Sequence, residues 1–340
     1  MVDKNYMQRA LELATNGLGS VSPNPMVGCV IVHDNKLIGE GWHKKFGEHH
    51  AEVNAINEVR NQDLLKESTV YVTLEPCSHQ GKTPPCADLL IAKSVKRVVI
   101  CNVDPNPKVA GSGIEKLKAA GIDVEVGLLE ENGLELNKRF FTSMKKARPF
   151  IILKWAQTSD GFIARKNYDS KWISNTQSRQ LVHKWRSEED AILVGYQTAL
   201  QDNPQLNVRD WSGSDPLRLV IDLNNSLPNN LYLFDKTQPT IAYNLKSQKS
   251  EDKLDKVIVT RQNYIEEILS DLHSKDVQSV IIEGGAATLN MFIRQNLWDE
   301  ARVFISEQKF KEGIDAPHLR KNIYAEQIIN HDKLLLYKNY

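Results

Sequence analysis

The spacing of four residues constrains this chain more than any other feature. His50-Ala51-Glu52 leads into the run Ala51 to Val59, where Ala51, Ala55, Ile56 and Val59 share one helical face. Thr69 to Thr73 (TVYVT) is β-branched and aromatic, so it reads as a strand. Pro76-Cys77 follows that strand, and eight residues separate Cys77 from Cys86. His50 thus opens a helix and Cys77 follows a strand end. Two thiolates and one imidazole are three protein ligands for zinc. They leave a fourth position for water, whereas a structural site usually fills all four. Thiolate plus imidazole favours zinc over harder metals. Glu52, two residues after His50, is placed to carry a proton without binding the metal.

H-x-E followed by P-C and a second Cys is the pattern of zinc deaminases. The generic spacing is P-C-x-x-C, so the longer Cys77–Cys86 segment is a departure. A structural zinc knuckle or two buried thiols is the competing reading. Against it, no further Cys or His stands at zinc-finger spacing, and a structural site has no use for the acid beside the histidine. His49 could replace His50 as ligand, but only His50 has the H-x-E spacing. The segment between the cysteines puts His79, Lys82 and two hydroxyls beside the metal. That suits a substrate bearing phosphate, for which lysine supplies a point charge. A solvated loop is the alternative.

EPCSHQGKTPPC, with SPNPMVGCVIV upstream, resembles the deaminase half of the bifunctional deaminase–reductases of riboflavin biosynthesis. The resemblance implies a zinc deaminase of cytidine-deaminase-like fold fused to an NADPH-dependent reductase. It also implies that Asn24, His43, His79 and Lys82 contact the deaminase substrate. The residues alone leave Asn24 as a turn residue and His43 as an ordinary polar one.

At 340 residues the chain has room for two domains, each with its own core. Lys+Arg and Asp+Glu balance at 43 each, so no basic excess argues for a nucleic-acid partner. The first residues (MVDKNYMQRALELA) read as a polar amphipathic helix rather than a signal peptide. No apolar run approaches the ~18 residues of a membrane span. Cys29 and Cys101 sit in apolar runs and read as buried small hydrophobes. These features point to the cytoplasm and to a small-molecule substrate, with no nucleic acid and no membrane as partner; a homo-oligomer is expected, though none of these features carries it.

Along the first part, helices and strands alternate: a helix through Met7 to Ala14, a strand Val27 to Val32, and a hairpin return at Leu37-Ile38. After Cys86 come a short helix (ADLLIAKS), the strand RVVIC, a helix from Gly111 to Ala120 and a strand Ile122 to Val126. A single helix from about Glu130 to Lys146 closes the domain. Such alternation predicts a three-layer α/β sandwich. The boundary falls at a short basic joint ending in Arg148-Pro149, giving domains 1–146 and 149–340.

The second part alternates again. Strands are predicted at FIILKWA (150–156), AILV (191–194), LRLVI (217–221), TIAY (240–243), Val257 to Thr260, SVII (279–282) and Ala301 to Ile305. Helices are predicted over Thr176 to Trp185, Tyr264 to His273 and Leu289 to Asn296. Glu283-Gly284-Gly285 after SVII is a phosphate-cradle candidate, because glycine admits close approach and helix N-terminal amides favour anions. Gly-Gly after a strand is also an ordinary turn, and it is not G-x-G-x-x-G. ILKWAQTSDG, DSKWIS, ILVGYQTALQDNPQLNVR and IIEGGAATL resemble, in order, blocks of the dihydrofolate-reductase-like reductase domain of the same enzymes. That resemblance implies phosphoribosyl-substrate contacts at Ser170, Arg186, Leu206, Arg209 and Glu283. It places NADPH contacts at Gln157, Trp172, Thr198, Asp202 and the run Gly285, Ala286, Ala287, Thr288, Leu289, Asn290 and Met291. Lys154 and Asp160 fall at the active-site edge of the first reductase strand, where Lys154 could polarise the sugar carbonyl. Arg186 and Arg209 suit phosphate because the guanidinium fork matches its oxygens. Two positions depart from the family pattern: Asn203, where a second acid is usual, and Ser306-Glu307, where Pro-Lys is common.

The resemblance implies deamination of 2,5-diamino-6-(5-phosphoribosylamino)pyrimidin-4-one with Glu52 moving the proton, then NADPH reduction of the ribosyl to the ribityl side chain. Three other readings compete. A nucleic-acid deaminase is disfavoured by neutral charge and by the Cys77–Cys86 insert. A zinc-stabilised binding protein is disfavoured by Glu52. A deaminase carrying a dead reductase is disfavoured by the intact Glu283-Gly284-Gly285 block.

Overall fold

The computed structural model describes residues 2–78, 84–106, 110–170 and 172–340. They form two compact units, Met1–Ala147 and Arg148–Tyr340.

In the first unit the order is α1 (Val2–Thr15), β1 (Gly28–His33), β2 (Lys36–Trp42), α2 (Ala51–Glu58), β3 (Thr69–Leu74), α3 (Cys86–Ala92), β4 (Arg97–Asn102), α4 (Ser112–Ala119), β5 (Asp123–Val126), α5 (Glu130–Leu136) and α6 (Lys138–Lys146). The sheet runs β2-β1-β3-β4-β5, antiparallel from β2 to β3 and parallel from β3 to β5. Strands β1, β3 and β4 are covered on both faces, which is why they read as near-continuous apolar runs. Cys29, Ile31, Val70, Val72, Val98 and Ile100 face α2, α3 and α4. Val30, Val32, Tyr71, Val99 and Cys101 face α1. This is the three-layer sandwich that the alternation predicts. The β2 strand reaches further than the hairpin return expected at Leu37-Ile38. Its Gly39 and Gly41 let α2 lie against the sheet, since a Cβ there would meet Ala55 O at 2.4 Å and Ala55 N at 2.6 Å.

The single helix expected over Glu130 to Lys146 is broken at Asn137 into α5 and α6. Asn137 is buried, and its amide accepts from Met26 N and donates to Met26 O, each at 2.8 Å. A tertiary pair of hydrogen bonds thus outweighs a local pattern that would continue the helix.

The second unit contains β6 (Phe150–Thr158), β7 (Phe162–Ala164), α7 (Thr176–Glu188), β8 (Ala191–Gly195), α8 (Tyr196–Asp202), β9 (Leu217–Ile221), β10 (Thr240–Asn244), β11 (Lys249–Glu251), β12 (Leu254–Ile258), α9 (Tyr264–Ser274), β13 (Ser279–Ile282), α10 (Ala286–Arg294), β14 (Glu300–Ser306), β15 (Ile314–Asp315), β16 (Ile323–Ile329) and β17 (Asp332–Lys338). Ten strands form one sheet in the order β11-β12-β10-β9-β8-β13-β6-β14-β17-β16, parallel from β12 to β14 and antiparallel toward both edges. Helices α9 and α10 cover one face. Helices α7 and α8 cover the other. The parallel run sends Gly195, Glu283 and the end of β6 to one edge, and ligands of open parallel sheets bind at such a carboxyl edge. The strand expected at Val257 to Thr260 lies instead at Leu254–Ile258, where it pairs in register with β10. Among the described residues no helix is long and apolar enough to cross a membrane.

Candidate active sites

In the first unit, the N-cap of α2, the segment after β3 and the first residue of α3 meet. His50 Nδ1 lies 3.6 Å from Cys77 Sγ and 3.3 Å from Cys86 Sγ, and the Cys86 amide donates to Cys77 Sγ at 3.3 Å. All three donor atoms lie within 4.8 Å of one another. Zinc bonds of ~2.3 Å to sulfur and ~2.0 Å to nitrogen in a tetrahedron separate such ligands by roughly 3.5 Å, so the triad fits zinc. Its electrostatics fit as well. Donation from the Cys86 thiol and the nearby His50 push Cys77 down to about 4, while the hydrogen bond to Cys77 and burial push the Cys86 thiol up. Without a cation only one of the two sulfurs is ionised; a cation between the half-buried Cys77 and the buried Cys86 would let both bind as thiolates.

Glu52 lies in the first turn of α2 and is buried, and burial raises its carboxyl above the usual range. His43 is also buried. Its Nε2 is 3.1 Å from Asn24 Nδ2, its Nδ1 is 3.0 Å from His49 O, and its ring meets the His50 ring edge-on at 5.5 Å. Two of the four expected deaminase substrate positions, Asn24 and His43, therefore touch each other beside the donor triad. His79 and Lys82 lie outside the described residues. His49 is exposed, and the donor set is built on His50.

Sequence reasoning passed over Glu75, which directly precedes Pro76-Cys77. Its buried carboxylate accepts from the backbone N–H groups of Asp104, Gly111, Gly113 and Ile114 at 2.9–3.4 Å. Gly113 sits so close that a Cβ would come within 2.2 Å of Pro76 O, and Ser112 Oγ lies 2.6 Å from Ser78 Oγ. Glu75 thus fastens the start of α4 to the segment carrying Cys77. An acid before Pro-Cys carries no periodicity that would mark it in a sequence.

In the second unit Lys154, Arg186 and Glu283 meet from β6, α7 and the end of β13. Arg186 donates from Nε and Nη2 to the two Glu283 oxygens, both at 2.9 Å, and Lys154 Nζ is 3.5 Å from Glu283 Oε2. Burial works to raise the Glu283 carboxyl, but the Arg186 and Lys154 charges win and push it down to about 2. Lys154 itself is lowered, because burial and Arg186 outweigh a Glu283 already engaged by the guanidinium fork. Arg186 Nη1 also donates to Asn207 O at 3.1 Å.

The other expected positions fall around this centre in different ways. Ser170 Oγ donates to Asp202 Oδ1 at 3.3 Å, joining an expected substrate residue to an expected cofactor residue. Thr198 Oγ1 stands over the Gly284-Gly285 turn, 3.1 and 3.2 Å from where Cβ atoms would be, and Gly285 caps α10. Thr288 packs on Gly195. Gln157 accepts from Trp155 Nε1 at 2.8 Å. Trp172 is exposed, with Arg179 over its ring at 4.5 Å and its carbonyl taken by Gln308. Arg209 is about half exposed and donates to Asn207 Oδ1 at 3.2 Å. Ala286, Ala287 and Asn290 are on α10, whereas Leu289 is fully buried in the core and Met291 packs against Tyr264. Leu206 is likewise a core residue. Asp160 does not join the Lys154 cluster; its carboxylate accepts from Thr158 Oγ1 and from Phe310 N and Lys311 N, fixing the turn after β6. Asn203 adopts a left-handed φ of 42° and accepts from Tyr232 N at 2.8 Å, a conformation asparagine bears more readily than most residues.

Fold and donor set together define a zinc-binding deaminase unit followed by a reductase unit. Residues 1–102 match the family model described as cytidine and deoxycytidylate deaminase zinc-binding region, and residues 149–306 match the RibD C-terminal domain. The riboflavin biosynthesis protein RibD of Aquifex aeolicus is 41% identical over 319 residues, covering 92% of this chain and 89% of that protein. RibD of Escherichia coli is 38% identical over 335 residues, with 90% and 88% covered. A solved structure from Thermotoga maritima, described as a diaminohydroxyphosphoribosylaminopyrimidine deaminase/5-amino-6-(5-phosphoribosylamino)uracil reductase, superposes with a TM-score of 0.91 at 37% identity, covering 99% of this chain and 98% of that one. The chain belongs to the RibD family of riboflavin biosynthesis proteins. It is a bifunctional enzyme with a zinc-dependent deaminase and an NADPH-dependent reductase.

Proposed function

We propose that the first unit hydrolyses the exocyclic amine of 2,5-diamino-6-(5-phosphoribosylamino)pyrimidin-4-one. The second unit then reduces the ribosyl group of the 5-amino-6-(5-phosphoribosylamino)uracil product to ribityl. The observation that carries this reading is the His50–Cys77–Cys86 triad with Glu52 buried beside it.

Zinc, when bound, supplies a Lewis acid that lowers the pKa of water to near neutral. Glu52 takes the proton from the attacking water and returns it to the departing ammonia. Burial favours that duty, because a raised carboxyl holds the proton between the two transfers. Asn24 and His43 orient the substrate at the mouth of the triad, with His79 and Lys82 completing the contacts.

In the second unit NADPH, when bound, would supply the hydride that reduces the sugar C1. The bond from C1 to the ring oxygen breaks, and Lys154 gives a proton to that oxygen. Glu283 holds Lys154 and Arg186 in place. Arg209 takes the phosphate with Arg186, and Ser170 and Leu206 border the substrate. The Gly284-Gly285 turn with Thr198 and α10 receives the cofactor, with Gln157, Trp172 and Asp202 along its course. The working form in this reading is a homo-oligomer in the cytoplasm, acting on a free small molecule.

A coupled assay with the diaminopyrimidinone phosphoriboside, zinc and NADPH tests the reading. Ammonia release followed by NADPH oxidation is expected. Ammonia without NADPH loss would remove the reductase assignment, and neither signal from zinc-loaded protein would remove both.

A further inference from the structure

His183 and Arg186 stand one turn apart on α7, 2% and 9% exposed. Both reach the same backbone oxygen. His183 Nδ1 lies 2.9 Å from Asn207 O, and Arg186 Nη1 donates to it at 3.1 Å. The Asn207 side chain in turn accepts from Arg209 Nη1 at 3.2 Å. The Arg209 amide N–H also points at Nδ1, from 3.4 Å, and His183 Nε2 lies 3.3 Å from the Asp210 carboxylate, so the ring touches the chain at Asn207, Arg209 and Asp210.

This segment needs such an anchor. Asn203 and Leu206 both hold left-handed backbone, with φ of 42° and 55°, and a leucine there is sterically disfavoured. Burial, together with the Arg186 and Arg209 charges, pushes His183 down to about 4 and keeps the ring neutral. A neutral ring carries one N–H; Asn207 O lies at 2.9 Å from Nδ1 and the Arg209 amide only at 3.4 Å, so the carbonyl takes that N–H and the amide merely approaches the same nitrogen. The Asp210 charge works the other way, but its side chain is 55% exposed and screened by water.

We propose that His183 is a positioning residue of the reductase: by donating from Nδ1 to the Asn207 carbonyl, it aims Arg209, beside Arg186, at the phosphate of the substrate. The proposal rests on the reading of Arg209 as a phosphate ligand. A guanidinium fork matches phosphate oxygens only when its plane is held. A flexible loop would present Arg209 as a diffuse charge instead.

The test is the ratio of kcat/KM for NADPH oxidation with the phosphorylated substrate and with its dephosphorylated counterpart. A residue that merely stabilises the fold lowers both values and leaves the ratio alone. His183→Asn keeps an N–H donor where Nδ1 stands, whereas His183→Gln moves it toward Nε2. Both side chains are polar and of similar size, and Tm with ammonia release by the same samples establishes that each is folded. The ratio should fall about tenfold in H183Q and in Arg209→Ala, as expected for a charged hydrogen bond lost or misaligned, and stay near the native value in H183N. If Arg209→Ala loses the ratio but H183Q keeps it, His183 does not position the arginine. If H183N and H183Q lose it alike, the Asn207 bond is not the reason. If Arg209→Ala keeps the ratio, the phosphate assignment itself fails.

Discussion

Arg186 presents its guanidinium to Glu283 edge to edge, Nε to Oε1 and Nη2 to Oε2, both at 2.9 Å. The pair is buried, and Lys154 approaches the same carboxylate from β6. A buried pair of this kind is weak evidence of net stability, but losing one partner strands the other charge.

A pH dependence of stability follows. Glu283 is pushed from its ordinary 4.5 down to about 2, so folding favours its ionised form. A depressed carboxyl contributes stability that is fully present above the unfolded value and is lost as pH falls through the folded one. The second unit should therefore lose this contribution progressively between pH 4.5 and about 2. In Glu283→Gln the slope of Tm against pH should flatten over that window, and reductase activity should be lost at neutral pH. An unchanged slope in the variant would show that other carboxylates govern the acid limb.

Glu52→Gln separates the two reactions. The amide cannot accept and return the proton, so ammonia release should fall by about 10²–10⁴-fold, the usual worth of general acid–base catalysis. Zinc content, read by metal analysis, should stay at the native level because Glu52 is outside the donor triad. NADPH oxidation with supplied deaminated intermediate should persist.

Chelation should act on the first unit by linkage. A metal that binds only the folded form stabilises it by mass action, and its removal takes that stabilisation away. Calorimetry of zinc-stripped protein should show a lowered transition for the deaminase unit, while NADPH oxidation of supplied intermediate continues. Cobalt added to the stripped protein should give a thiolate charge-transfer band, and Cys86→Ser should weaken it. A cobalt spectrum without thiolate character would exclude Cys77 and Cys86 as ligands.

Much of this molecule was legible because buried elements leave strong patterns. GCVIVH, TVYVTL and RVVICN are covered on both faces, and their apolar runs announce central strands. That His50, Cys77 and Cys86 come together was legible because metal chemistry restricts residue type and spacing at once. Strand β16 was not, since it lies at a sheet edge with Ile323, Tyr324 and Ile328 exposed and shows no alternation. The break at Asn137 depends on Met26, 111 residues away, which no local window contains. His183 and Glu75 were missed for the same reason: each acts on backbone groups far along the chain, and those groups are present at every position.

Glu75 carries the last prediction. Its carboxylate serves four backbone N–H groups, from Asp104 to Ile114, and it is 4% exposed. Glu75→Ala leaves those donors without their acceptor and opens a gap beside the Cys77 segment. An unpaired buried donor costs about 1–3 kcal/mol, and water entering the gap recovers part of the sum, so a loss of roughly 3 kcal/mol is expected. Glu75→Gln should cost less, because one oxygen still accepts while the new amide faces backbone N–H groups it cannot serve. In both variants zinc affinity and ammonia release should fall while NADPH oxidation with supplied intermediate holds. Competition with a chelator of known affinity, alongside thermal unfolding, measures both effects. Native zinc affinity in Glu75→Ala would show that the segment bearing Cys77 keeps its place without this tie.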